Sequence, residues 1–293
     1  MSRIDIDVRV NSQEARRALE EVGDTASSTS LKIISLDSAV SIAQKAFNAL
    51  SNVFAVTIES AIEAESAMAE VATLMDGDAT DAVKKLSKEL SELQVRYGIS
   101  FQKQAKAAYQ AISSGAVKAS TAVKLLTVAN KLAIGGVTTV ETAVDGLTNV
   151  MNGFGLTVED SERISDAFFI GMKAGKTTIG ELATEIGKVS GVANTMGISL
   201  EETIAALSAM TLNGVKTTEA ATKLKAVYQE MLKPNEKMAA AIKASGFESG
   251  QAMIKVLGLQ GALQKLKAVS GGDIGLANVF GSSEALTGGL ALT

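Results

Sequence analysis

The sequence contains no cysteine and no histidine. The first absence excludes disulfides and thiolate chemistry. The second removes the usual general base and the commonest zinc ligand. An enzyme built from this chain would have to work with carboxylates, lysine, serine or tyrosine alone. Tryptophan is also missing, and aromatic residues make up only 4%. A large core must therefore be assembled from Ala, Leu, Val, Ile and Met. There is one proline, Pro234, in 293 residues. Interior proline removes a helical hydrogen bond and clashes with the preceding turn, so its rarity permits long helices. The most apolar uncharged stretch, 46–58, is shorter than the roughly 20 residues a membrane span needs. Charge of one sign is not in excess: 28 basic residues face 32 acidic ones, for a formal net charge of −4. Counterion-release binding to nucleic acid needs a basic face. The short runs Lys84-Lys85 and Lys265–Lys267 read instead as solvated helix faces, so no specific nucleic-acid binding is expected. Arg3, Asp5 and Asp7 interrupt the first residues, and no secretory leader is expected there.

Hydrophobic residues reach 46%, and most recur at helical spacing. The pattern predicts an all-α protein: a long heptad-patterned helix, then a multi-helix globular bundle of short helices punctuated by glycine. One short β-strand is predicted at the N-terminus. Three regions follow: 1–30 (strand, short helix and polar hinge), 31–76 (long apolar helix) and 77–293 (helical core domain).

The predicted strand alternates Ile4, Ile6, Val8 and Val10 against Asp5, Asp7 and Arg9, the signature of a half-buried strand. A lone strand cannot satisfy its backbone. It must pair with another chain, another copy or a further segment of its own. The long helix places Val40, Phe47, Phe54, Ala61, Met68 and Met75 at heptad position a, and Ala43, Leu50, Thr57, Ala64 and Val71 at d. Such a seam suits packing against parallel copies, with a trimer or hexamer expected. The candidate oligomerisation residues are Val40, Phe47, Leu50, Phe54, Ala61, Met68 and Val71. The same pattern also suits one long core helix in a monomer.

Beyond Asp76-Gly77-Asp78, capping boxes are predicted where a hydroxyl residue precedes an acidic one by three: Thr138/Glu141, Thr157/Asp160, Thr178/Glu181 and Ser199/Glu202. A four-residue pattern recurs as Tyr97-Gly98-Ile99-Ser100, Phe154-Gly155-Leu156-Thr157 and Met196-Gly197-Ile198-Ser199. Glycine ends one helix in the left-handed conformation, and the hydroxyl residue caps the next. The first and third copies also agree downstream, which suggests a duplicated helical hairpin with a period near 100 residues.

Candidate chemistry is thin. Gly171-Met172-Lys173-Ala174-Gly175-Lys176-Thr177 is similar to a phosphate-binding loop, which requires four residues between its glycines and a preceding strand. Three residues stand there, and a helical pattern precedes them. Asp76, Asp78 and Asp81 lack the twelfth-position glutamate of a calcium loop. Glu59, Glu63 and Glu70 have no histidine partner for a di-metal site. No catalytic residue, cofactor or metal ligand is assigned, and the chain is not expected to be an enzyme.

Residues 90–100, 107–116, 132–155, 164–224 and 279–293 together resemble the core region of phage tail tape-measure proteins. The strand, short helix and long apolar helix resemble how those proteins begin. What the resemblance implies is a structural virion protein in the lumen of a growing tail, acting as length ruler and scaffold and later released during genome delivery. It implies several parallel copies, with tail tube protein, tail tip or baseplate proteins and tail assembly chaperones as partners. It further implies contact with the host membrane, and residence in the host cytoplasm during assembly. Two other readings compete. One is a membrane-active helical protein that inserts residues 31–58 and assists envelope penetration. The other, ranked last, is a lysozyme-like enzyme.

Overall fold

A computed structural model describes residues 63–75 and 80–293, and all regular structure among them is helical. The predicted strand lies outside the described residues. The chain divides into two compact units at Ala67/Met68, and the architecture below is that of the second unit. Residues 63–72 are helical. Thirteen α-helices follow among the described residues: α1 (Thr80–Tyr97), α2 (Phe101–Ser113), α3 (Ala119–Gly135), α4 (Val140–Phe154), α5 (Ser161–Ala174), α6 (Ile179–Glu185), α7 (Gly187–Met196), α8 (Leu200–Leu212), α9 (Thr217–Leu232), α10 (Glu236–Ala244), α11 (Gly250–Val269), α12 (Asp273–Val279) and α13 (Ser283–Ala291). A single 3-10 turn, Val158–Asp160, leads into α5.

Local chemistry sets most of these boundaries. At Gly155 (φ 67°) and Gly197 (φ 76°) the chain turns left-handed. The next amide then reaches back five residues, Leu156 to Met151 at 2.8 Å and Ile198 to Ala193 at 2.9 Å. These bonds satisfy carbonyls that the helix end would otherwise leave orphaned. Two predicted boxes form fully. Thr157 donates its N–H to Asp160 (3.0 Å). Thr178 and Glu181 exchange bonds at 3.0 and 3.1 Å.

Others differ from expectation. Thr139 rather than Thr138 caps α4, accepting from the Thr142 amide at 3.1 Å. The Thr138 amide is already engaged by Ala133 in ending α3. Ser100 makes no side-chain cap. Ser199 accepts from Glu202 N–H (3.1 Å), but the Glu202 carboxylate turns to the Leu259 amide at 2.6 Å instead of closing the box. The helical run that the Thr178/Glu181 box opens is interrupted at Ile186.

Small residues bring the helices close, as the scarcity of aromatics requires. The central helix α4 packs against α2, α3, α6 and α7. A Cβ added at Gly146 would come within 2.5 Å of the Ala183 Cβ, and one at Gly153 would run into Ser190. Between α2 and α3, Gln104 and Asn130 are fully buried and exchange side-chain amide bonds at 2.6 and 3.0 Å. This meets the rule that buried polar groups find partners. Helix α9 is the second hub, packed on α7, α8 and α13.

Helix α11 bends at Gly258 (φ 69°, ψ 172°). The reason is a change of phase. Met253 and Ile254 are buried before the bend, and Leu259, Ala262, Leu263 and Leu266 after it. One straight helix cannot present both sets to the same core. The bend frees the Leu259 amide, and Glu202 fills that vacancy in the hydrogen-bond ladder.

Candidate functional site

Of the residues singled out for assembly, Ile4, Ile6, Val8, Val10, Val40, Phe47, Leu50, Phe54 and Ala61 lie outside the described residues. Met68 and Val71 lie within them and are 7% and 0% exposed. This end of the heptad pattern is thus buried within the single chain.

Several acidic groups secure helix ends. Glu181 Oε2 accepts from the Thr178 amide (3.0 Å) and from the Thr177 and Thr217 hydroxyls (both 3.3 Å). Glu230 accepts from the Gly281 and Ser282 amides (both 2.8 Å) and the Ser282 hydroxyl (2.7 Å), holding the turn that starts α13. The positive end of a helix favours each such carboxylate. Asp160 is held below its ordinary pKa of 3.8, first by the Thr157 backbone N–H, against partial burial, then by the Thr157 hydroxyl and the Arg163 guanidinium. Glu284 is lowered chiefly by its own backbone N–H, with help from the Ser283 hydroxyl. Burial pushes the Tyr228 phenol up. Among the described residues, no three acidic side chains gather as a metal site requires.

The loop with phosphate-binding likeness has another explanation. Gly171 and Gly175 lie on α5 and just past its end, where α8 crosses. A Cβ at Gly171 would come within 2.5 Å of Ile204, and one at Gly175 within 2.7 Å of the Thr211 hydroxyl. Ser208 donates its hydroxyl to the Gly171 carbonyl (3.0 Å), and the Lys176 amide donates to Thr211 (3.0 Å). The glycines serve a helix crossing, and the amide a phosphate would need is engaged.

The outer surface carries cross-helix ion pairs, Lys124–Glu159, Lys131–Glu162 at 3.6 Å and Arg163–Glu201 at 2.6 Å. It also carries a groove of about 500 Å³ lined by Ala205, Ala209, Leu259 and Ala291. Val137 stands 94% exposed and is the one non-glycine residue with positive φ (51°) among the described residues. No single described helix is long and apolar enough to cross a membrane, although the bent pair α3–α4 passes by length and composition. About half of each member of that pair is buried, 8 of 17 residues in α3 and 8 of 15 in α4.

The described residues form a helical body in which several carboxylates secure helix ends. Residues 80–281 match the model of a family described as phage-related minor tail protein. The chain belongs to the phage-related minor tail protein family. Two curated phage proteins are also similar to this chain. One is named probable tape measure protein, of Clostridium phage phiCD119. It is 26% identical over 247 residues, covering 79% of this chain and 26% of the relative. The other is named tape measure protein, of Pneumococcus phage Dp-1, and is 25% identical over 128 residues, 44% of this chain and 11% of the relative. The chain thus spans about a quarter of the first relative's length and about a tenth of the second's. No solved structure matches. Membership of this family supports a structural role in a phage tail.

Proposed function

We propose that the chain works as part of a tape-measure protein, setting tail length and scaffolding tail tube assembly without catalysis. The observation that carries this reading is the alignment of 79% of the chain with a protein named probable tape measure protein. The match of residues 80–281 to a tail protein family supports it. In this reading the protein lies in the tail lumen, contacts tail tube and tail tip or baseplate proteins with the help of assembly chaperones, and leaves during genome delivery. Met68 and Val71 are already buried. The seam between parallel copies is therefore assigned to Val40, Phe47, Leu50, Phe54 and Ala61, with Ile4, Ile6, Val8 and Val10 pairing with a neighbouring chain.

The test is tail length in the phage that encodes the chain. Removing about 40 helical residues from the full-length protein, outside 80–281, shortens the tail by about 60 Å at 1.5 Å per residue. Tails of unchanged length by electron microscopy would refute the ruler.

A further inference from the structure

The hairpin repetition visible in the sequence extends, in the structure, to a larger unit. Helix α1 covers 80–97, and α6 with α7 covers 179–196, a constant shift of 99 residues. The same shift carries α2 onto α8, both of 13 residues. It carries the start of α3 to within two residues of the start of α9, and the helical residues 63–72 onto the middle of α5. The turns agree as well: Gly98 and Gly197 have φ of 70° and 76°, and Gly115 and Gly214 have 73° and 84°.

Burial follows the same register. Leu125 and Leu224 are both 0% exposed, and Leu132 and Met231 are 0% and 1%. Gln104 and Thr203, polar residues at the same point of α2 and α8, are both fully buried. Helical periodicity alone aligns apolar faces. It does not place a buried polar residue at the same position, nor match two left-handed turns and the length of α2 with that of α8.

Helix α4 falls between the two copies in the chain, and the same shift carries it across the break between α10 and α11 rather than onto one helix. It covers α6 and α7 at Ala183 and Ser190. The equivalent positions on α1 are Lys84 and Ser91, both exposed.

We propose that the helices of 63–135 and those of 162–232 are tandem copies of one four-helix unit with a 99-residue period, and that this unit is the increment in which the protein can be shortened without losing its fold. For a chain that sets a length, a change by one whole unit leaves folded neighbours intact. That last consequence rests on the ruler reading. The folding test below does not, so the two fail separately.

Two in-register deletions are made in the full chain. One removes 98–196 and joins Tyr97 to Gly197. The other removes 107–205 and joins Lys106 to Ala206 within a hybrid of α2 and α8. The control removes 107–203, which leaves the second half of the hybrid helix rotated by about 200°. Far-ultraviolet circular dichroism and thermal unfolding are read for all three. Both in-register chains are expected to keep the parent's helical signal per residue and one cooperative transition, while the control loses cooperativity. Loss of cooperative folding in both in-register chains would overturn the proposal, as would a control that folds as well as they do.

Discussion

Gly153→Ala is the sharpest probe of how this fold is held. The added Cβ would run into the Ser190 side chain, and the next atom, the Gly191 amide nitrogen, lies 3.3 Å away. Ser190 is itself 2% exposed and cannot swing into solvent. Overpacking a tight contact costs about 1–3 kcal/mol. Both flanking atoms belong to helical segments that cannot shift independently, so the upper figure of about 3 kcal/mol applies. That is a large part of a total stability of roughly 5–15 kcal/mol, and corresponds to a fall of about 6–12 °C in Tm for a unit of this size. The geometry also fixes which second change rescues. Ser190→Ala keeps its Cβ in the way and restores little. Ser190→Gly clears the contact and restores most of the loss, less about 0.5 kcal/mol of helix propensity. Thermal and urea unfolding of the four chains measures this. A Gly153→Ala cost below about 1 kcal/mol, or equal rescue by both partners, would refute the close crossing of α4 over α7.

Other outcomes follow from single residues. Val137 holds a left-handed conformation while exposed. Val137→Asn is expected to raise stability by about 1 kcal/mol, since asparagine tolerates that conformation and no buried area is lost. Glu202→Ala removes the cap on Leu259, and is expected to cost about 1–2 kcal/mol and to speed hydrogen exchange at that amide. Asp160 has a lowered pKa, so its contribution is present above the ordinary value of 3.8 and is lost as pH falls through the folded value. Asp160→Asn should therefore destabilise at pH 7, and the difference should shrink as pH falls through the folded value, as acid unfolding curves would record. Phe47→Asp with Phe54→Asp is expected to collapse a trimer or hexamer to monomers by light scattering, if parallel copies meet along that seam.

What was legible in the sequence was local. The box at Thr178/Glu181 depends on residues three apart, and Gly197 ends its helix whatever packs around it. What was missed depends on distant partners. Glu202 looked like the second half of a local box, but its carboxylate serves an amide 57 residues away. Nothing around Glu230 in the sequence singles it out, yet it organises a turn 51 and 52 residues on. Gly258 sits among good helix formers. Only the shift of buried positions from Ile254 to Leu259 marks a bend there. Gly146 and Gly153 could have been noticed as two small residues seven apart on one helical face, but their partners Ala183 and Ser190 are set by topology. Met68 and Val71 show the limit of the heptad argument, because the same spacing serves a seam between chains and a core within one.

The most direct test of the structural role is the protein content of purified tails before and after genome release. Quantitative mass spectrometry on intact and emptied particles of the encoding phage would count the full-length protein against the tail tube subunit. The account predicts several copies per intact tail and near-complete loss from emptied particles. Absence from intact tails, or full retention after release, would contradict it.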